Sequence, residues 1–417
     1  MRRRLLVATA LLLAPGGGAL AQTVSQRGFV DGMLTLFPQA APNDATQGVA
    51  DVVAREEVFF KPRAWIRLGA GVELRANSHD QVDRRWAPDF WDRNERRPAL
   101  SVRRLSATLN RGAFTVDLGK QFIRWGRTDI VHPTDRFAPR DYMNVVDADF
   151  LGTTAVRGLA QLGRHTLEAA WVPRFTPSRI PLLDQRWSAV PPASVRIPIV
   201  ETAPVFPDGS QFGVRWGRTG DRLEYSLSFF DGFNSSPDIA STVRYATVPP
   251  GVPAAVEITR VHPPIRTYGG DMAWPLRWFT VKAEAAYFTS ASPSTDEYAL
   301  YVLQLERQSG EWVFVGGYAG EAVTHRRAAL TFAPERGMSR SFLGRVSYTI
   351  DANRSAAFEG AVRQNGRGGY GKAEYSQAQG QHWRATLAFV ALAGHTDDFF
   401  GRYRRNSHLT IRLRYSF

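Results

Sequence analysis

Leu409, Ile411, Leu413, Tyr415 and Phe417 alternate with His408, Thr410, Arg412, Arg414 and Ser416 along the last ten residues of the chain. Successive side chains of an extended strand point to opposite faces, so this stretch is a strand with one apolar and one polar side. The pattern recurs along the chain. Ile66, Leu68, Ala70, Val72 and Leu74 share one face, as do Phe114, Val116 and Leu118, then Leu167, Ala169 and Trp171, then Leu223, Tyr225, Leu227 and Phe229. Phe279 through Tyr287, Phe342 through Ile350 and Trp383 through Phe389 repeat it at every second residue.

The connections between these runs are alternately short and long. Lys61-Pro62-Arg63, Asn110-Arg111-Gly112, Leu162-Gly163-Arg164, Arg218 to Asp221, Pro275-Leu276, Ser309-Gly310, Asp351 to Asn353 and Gly380 carry turn chemistry. Between them lie long segments: 77–98, 125–152, 174–210, 232–264 and 323–339. Together these features place strands near 27–37, 50–60, 64–76, 99–110, 112–124, 153–162, 164–173, 211–218, 221–231, 265–274, 277–289, 297–308, 311–322, 340–350, 353–364, 369–379, 381–393 and 405–417. The count is about eighteen, or about sixteen if the part before Lys61 is a periplasmic extension.

The second face of each strand is charged. Arg67, Glu73 and Arg75, Asp117 and Gln121, Thr166 and Glu168, Lys282 and Glu284, Arg363, Lys372 and Glu374, Arg412 and Arg414 all fall there. Unpaired charges at every second position would each cost several kcal/mol in a packed sandwich core, whereas a wet lumen accepts them. The fold class predicted is all-β: a single transmembrane antiparallel up-and-down barrel with short periplasmic turns and long extracellular loops. Lys282 with Glu284 and Lys372 with Glu374 are expected to pair across strands and stiffen the wall.

A last strand that ends on an aromatic residue resembles the close of bacterial outer-membrane β-barrels. The stretch Gly119-Lys120-Gln121 to Trp125-Gly126, followed by Pro133-Thr134-Asp135, resembles uncharacterised porin-like outer-membrane proteins. In porins the third loop folds into the barrel and narrows it. The resemblance therefore implies a constriction over 125–152, with Arg124, Asp129, Asp135, Arg136, Arg140 and Asp141 as candidate residues. Opposed charges across a narrow gap set up a transverse field, and they equally well hold the loop against the wall. The candidate lumen lining is Arg67, Arg75, Asp117, Gln121, Lys282, Glu284, Arg363, Lys372, Arg412 and Arg414. Pro177, Pro181, Pro191, Pro192, Pro198, Pro204 and Pro207 stiffen the loop 174–210, which is read as a surface loop, with a lid or second constriction as the alternative.

At the amino end, Arg2 to Arg4, an apolar run from Leu5 to Leu13 and Ala19-Leu20-Ala21 have the layout of a secretory signal peptide. The expected organisation is a signal at 1–21 and an outer-membrane barrel at 22–417. No later run reaches the roughly 18 apolar residues of a transmembrane helix. The mean hydropathy of -0.27 does not argue against a barrel, in which only alternate residues meet lipid. The charge of +13 falls to +10 once Arg2, Arg3 and Arg4 leave with the signal. In an exported chain that surplus suits lipid and lipopolysaccharide head groups or anionic solutes, with no nucleic acid partner.

There are 0 cysteines, which excludes disulfides and thiolate chemistry. The 8 histidines are scattered without a His-Glu-x-x-His pattern, and no Gly-x-Ser-x-Gly elbow occurs, so no metal, cofactor or catalytic residue is assigned. Gly366 to Gly371 lacks the Lys-Ser/Thr of a phosphate loop and is read as a turn. Asp397-Asp398 and Asp147-x-Asp149 are read as solvated loop acids rather than cation ligands. The function expected is passive diffusion of small hydrophilic solutes, with the surplus of Arg leaning toward anions. Two alternatives remain open: a loop-plugged barrel acting as a scaffold or adhesin, and an outer-membrane hydrolase. Oligomeric state is not legible.

Overall fold

A computed structural model describes residues 24–188, 197–246, 251, 253–327 and 330–417. The expected signal at 1–21 and Pro191 and Pro192 lie outside the described residues. Eighteen strands form the wall: β1 Val24–Leu36, β2 Gly48–Arg63, β3 Ile66–Asn77, β4 Arg97–Arg111, β5 Phe114–Gln121, β6 Thr153–Leu162, β7 His165–Val172, β8 Gln211–Arg218 and β9 Glu224–Phe233, then β10 Pro264–Pro275, β11 Thr280–Thr289, β12 Glu297–Ser309, β13 Trp312–His325, β14 Ser341–Thr349, β15 Arg354–Arg363, β16 Gly368–Gln379, β17 Trp383–Gly394 and β18 His408–Ser416. Each pairs antiparallel with the next. β18 returns to β1, with Phe29 opposite Ser416 and Leu36 opposite Leu409, so the sheet closes and has no edge. Because β1 and β2 are wall strands, the count is eighteen and the sixteen-strand alternative falls.

The ends of the chain meet at the seam. The Gly28 amide donates to the Phe417 carbonyl at 2.9 Å, and the Phe417 amide donates back at 3.0 Å. A side chain at Gly28 would collide with the Phe417 ring, which explains the glycine there.

The alternate apolar residues face outward. Leu68, Leu118, Leu167, Leu227, Phe342, Leu387, Phe389, Ile411 and Leu413 are all exposed, as a lipid-facing jacket requires. Short turns occupy one rim, where Gly112 and Gly310 adopt φ of 59° and 56°. Several expected boundaries shift by a few residues, among them 405–417, which begins at His408, and two of the shifts bear on the connections. The first turn is Ala64-Trp65, because β2 runs on to Arg63 through a register shift after Phe60 that takes up Pro62, which has no amide to give the ladder. β5 stops at Gln121 rather than 124, so Phe122, Ile123 and Arg124 already belong to the long connection.

Long loops occupy the other rim. Val82–Asp89 runs parallel to the start of β4, and Ile199–Glu201, Asp238–Tyr245, Pro253–Val261 and Leu330–Thr331 form a small separate sheet. The loop acid Asp398 caps a one-turn helix, Phe399–Arg402, and pairs with Arg363 at 2.9 Å. It is therefore a buried structural group rather than a solvated one, whereas Asp397 is exposed and lies 3.4 Å from Arg367.

Candidate functional site

The interior is divided by loop 3, residues 122–152, which leaves β5 and crosses to the opposite wall. Glu284, inward on β11 and 2 % exposed, holds it there. One carboxylate oxygen of Glu284 accepts from the Arg127 amide at 2.8 Å, the Thr128 amide at 3.0 Å and the Thr128 hydroxyl at 2.9 Å. The other accepts from the Thr134 amide and hydroxyl, each at 2.8 Å. A buried carboxylate needs its lone pairs satisfied, and here the loop backbone does it. Glu284 does not pair with Lys282, as the sequence suggested; Lys282 reaches Glu306 at 2.6 Å and Asp129 at 3.2 Å. Lys372 lies 3.5 Å from Glu374, along one strand rather than across two.

Further contacts fix the loop. Asp135 accepts from the Trp125 and Gly126 amides at 2.6 Å each, and the Trp125 indole donates to Glu168 at 2.7 Å. Arg127 pairs with Asp271 at 2.5 Å and Glu224 at 2.8 Å. Trp125 and Phe137 pack against Gly213 on β8 so closely that a Cβ there would sit 2.8 Å from both rings. With Ala170, Val172, Phe230, Ala286, Phe288 and Leu300 they make an apolar cluster inside the barrel.

The loop 174–210 is not a surface loop in its first half. Phe175, Arg179, Ile180, Leu182, Arg186 and Trp187 are buried, and the segment lies inside the lumen against loop 3. The Tyr142 amide donates to the Arg179 carbonyl at 2.7 Å, and the Arg179 guanidinium pairs with Asp141 at 2.8 Å. Burial alone would raise the Asp141 carboxyl, but Arg97 and Arg179 beside it hold it well below the usual carboxylate range. Ile180 and Trp187 join Val131, Tyr142 and Val145 of loop 3, and Val390, Leu392, Phe400 and Tyr403, in a second apolar cluster.

Among the described residues, a cavity of about 370 Å³ stays open against one arc of wall, formed by β18, β1, β2, β3 and β4. Eight arginines line it, Arg55, Arg75, Arg97, Arg103, Arg179, Arg186, Arg412 and Arg414, together with seven acids, Asp31, Asp51, Glu73, Asp92, Asp141, Asp147 and Asp149. Most are engaged with one another. Arg414 pairs with Asp31 and Arg55 with Glu73, at 2.6 and 2.5 Å, while Arg103 pairs with Asp149 at 3.0 Å. Two cations have no close carboxylate. Arg412 comes only within 3.9 Å of Asp147, and Arg186 donates to backbone carbonyls of Thr46 and Arg405 rather than to a carboxylate.

Of the six candidate constriction residues, only Asp141 lines this cavity. Arg124 and Arg140 lie over the Phe150 ring, at 4.2 and 4.4 Å, and Arg136 is buried against Glu335 at 2.9 Å. Asp129 and Asp135 belong to the loop contacts above. Of the ten lining candidates, Arg75, Arg412 and Arg414 line the cavity, and Lys372 meets Arg412 again in a smaller one of about 60 Å³. Asp117 accepts from Thr108 at 2.5 Å, Gln121 is buried among backbone carbonyls, and Arg363 holds Asp398. Arg67 stacks on Phe59 near the short-turn rim. Arg55 and Arg103 sit on the charged faces of strands the alternation had located. Arg179 and Arg186 had no comparable signal, being in a proline-rich loop. Among the described residues no cluster of three metal-ligating side chains occurs.

No family model and no curated protein matches the chain. Solved structures do. OccAB4 of Acinetobacter baumannii aligns over 95% of this chain and 98% of its own, with 10% identity and a TM-score of 0.55. The outer membrane protein OpdK of Pseudomonas aeruginosa aligns over 95% and 98%, with 9% identity and a TM-score of 0.53. A BenF-like porin from Pseudomonas fluorescens Pf-5 aligns over 94% and 98%, with 9% identity and a TM-score of 0.54. At such identities the likeness is one of fold: this chain has the eighteen-stranded barrel of outer-membrane porins.

Proposed function

We propose that the chain is a passive outer-membrane channel for small hydrophilic solutes, favouring anions, with residues 1–21 directing export and then removed. The observation that carries this reading is the charged cavity against β18 and β1 to β4, walled on its other side by loop 3 and enclosed in an apolar jacket. Met143, Asn144, Asp147 and Asp149 of loop 3 face Arg412 and Arg414 across it and form the constriction. Arg412 and Arg186, which lack a close carboxylate, supply the anion preference. Arg124, Asp129, Asp135, Arg136 and Arg140 hold the loop in place. Transport by this route needs no coupling to energy: solute follows its gradient through a lumen whose ion pairs exchange partners with it.

A second reading, a plugged scaffold, draws on the inward packing of loop 3 and of residues 174–188. Planar-bilayer recording of folded, heat-modifiable protein decides between them. The channel reading expects discrete steps of conductance with a reversal potential displaced toward the anion. Absence of any conductance from folded protein would overturn it in favour of the scaffold.

A further inference from the structure

A second cavity, of about 500 Å³, opens at the long-loop rim between the top of β3, the strand Val82–Asp89 and the loop around Asp184. Nine of its thirteen lining residues are polar. Its one indole, Trp86, is 77 % exposed, and among the described residues no ring or cation is stacked on it. The strand bearing it is tied to β4 at both ends, Val82 opposite Arg97 and Asp89 opposite Ser101, while the register shift between them lifts Arg84, Arg85 and Trp86 away from the wall. The deeper polar groups are committed: Asn77 accepts from the His79 amide at 2.6 Å, and His79 lies 2.6 Å from Asp44. Among the outer ones Asp80 pairs with Arg96 at 2.8 Å and Asp83 accepts from the Arg85 amide at 3.1 Å. The side chains of Arg84 and Asp184 have neither a hydrogen bond nor an ion pair among the described residues.

We infer that this cavity is a saccharide-binding site. A pyranose offers one face of C–H groups, which stacks on an exposed indole, and a rim of vicinal hydroxyls, which both donate and accept. Trp86 supplies the platform, Arg84 the donor fork and Asp184 the acceptor, within a volume in the range of small-ligand sites. A planar aromatic solute would leave these polar groups desolvated without partners. Arg75, Asn77 and His79 line this cavity and the lumen cavity alike, so their side chains stand between the two. That a bound sugar passes inward from it rests on the channel reading.

The sugar comes either from a free solute or from the core of a neighbouring lipopolysaccharide. Calorimetric titration of the mature protein in nanodiscs with maltotriose, with raffinose and with purified lipopolysaccharide core oligosaccharide separates the two. Binding of a free trisaccharide marks solute capture; binding of the core oligosaccharide alone marks a grip on the surrounding lipid. In either case Trp86→Ala is expected to weaken binding by about ten-fold, and Trp86→Phe, which keeps a ring, by about three-fold or less. Asp184→Asn, a surface change with no fold to disturb, is expected to weaken it as well. No binding of any of the three by the parent protein, or equal binding by the parent, Trp86→Ala and Asp184→Asn, overturns the inference. The outcome is separable from that of the channel reading, since conductance without sugar binding removes only this site, and sugar binding without conductance removes only the channel.

Discussion

The two sides of the barrel interior are built from the same kind of strand and end in different states. Along β18 and β1 to β4 the inward positions mix a few apolar residues, Phe29, Met33, Val49 and Val53, with a dense set of polar and charged ones: Asp31, Thr35, Asp51, Glu73, Arg75, Ser101, Arg412 and Arg414. Along β7 to β17 the inward positions turn apolar in their upper halves, with Val172, Phe230, Phe288, Leu300, Val302, Leu343, Val390 and Leu392 buried under loops. Apolar inward residues recruit a covering because leaving them wet costs roughly 25 cal/mol per Å². Charged inward residues hold loop 3 through ion pairs at single points, Asp141 on Arg97 and Asp149 on Arg55 and Arg103, and leave a wet gap between them. The density of charge at the inward positions thus separates the open side of the lumen from the filled one.

The comparison can be broken by cutting the loop free. Glu284→Ala removes an acceptor of five hydrogen bonds, each worth about 1.5–3 kcal/mol to a charged group. Loop 3 should detach from β11 and single-channel conductance should rise, by a factor on the order of two. Glu284→Gln, keeping an acceptor, should lie between. Next in size, Gly213→Val should force Trp125 and Phe137 off β8 and lower the thermal unfolding temperature, with a cost of about 1–3 kcal/mol from overpacking.

On the open side a substitution should alter selectivity first, with a smaller cost in stability where it strands a partner such as Asp31. Arg412→Gln with Arg414→Gln should move the reversal potential toward cations, and by more than Arg124→Gln with Arg140→Gln, whose guanidiniums lie over Phe150 rather than in the cavity. An equal shift from the two pairs would place the conducting path elsewhere.

The smallest effect concerns acid. Burial pushes His262, between the outer loops, from 6.5 down to about 4, with Arg260 and Arg93 opposing its charge. A group kept neutral in the folded state binds fewer protons there than when unfolded, so its contribution is complete above 6.5 and declines as pH falls from 6.5 towards 4. The Asp141 clamp, with its carboxyl held low, persists over that window. Acidification should therefore loosen the outer loops, read as faster hydrogen exchange around Phe206 and Phe175 beside His262, while loop 3 stays protected.

Two-residue alternation made the wall legible, because lipid on one side and water on the other leave few other solutions for Leu227 or Arg414. The loops were another matter. The charges of loop 3 were visible, but nothing local distinguishes Arg136, which is buried on Glu335, from Arg412, which faces the cavity. The signal that could have separated them lay in the strands. Ala170 and Val172 follow Thr166 and Glu168 on one inward face, and such loss of polarity near a strand top marks where a loop will land. The burial of 174–188 was hidden for a different reason: its prolines suit a solvent path as well as an interior one, and only Arg179, meeting Asp141 and Asp92, reveals which.

The absence of native cysteine permits a direct test of which side conducts. Met33→Cys places a thiol on β1 in the open cavity, and Ala286→Cys places one on β11 under loop 3. A charged methanethiosulfonate reagent added during planar-bilayer recording should reduce the conductance of the Met33 variant and leave the Ala286 variant unchanged. Block through position 286 with none through position 33 would contradict the account.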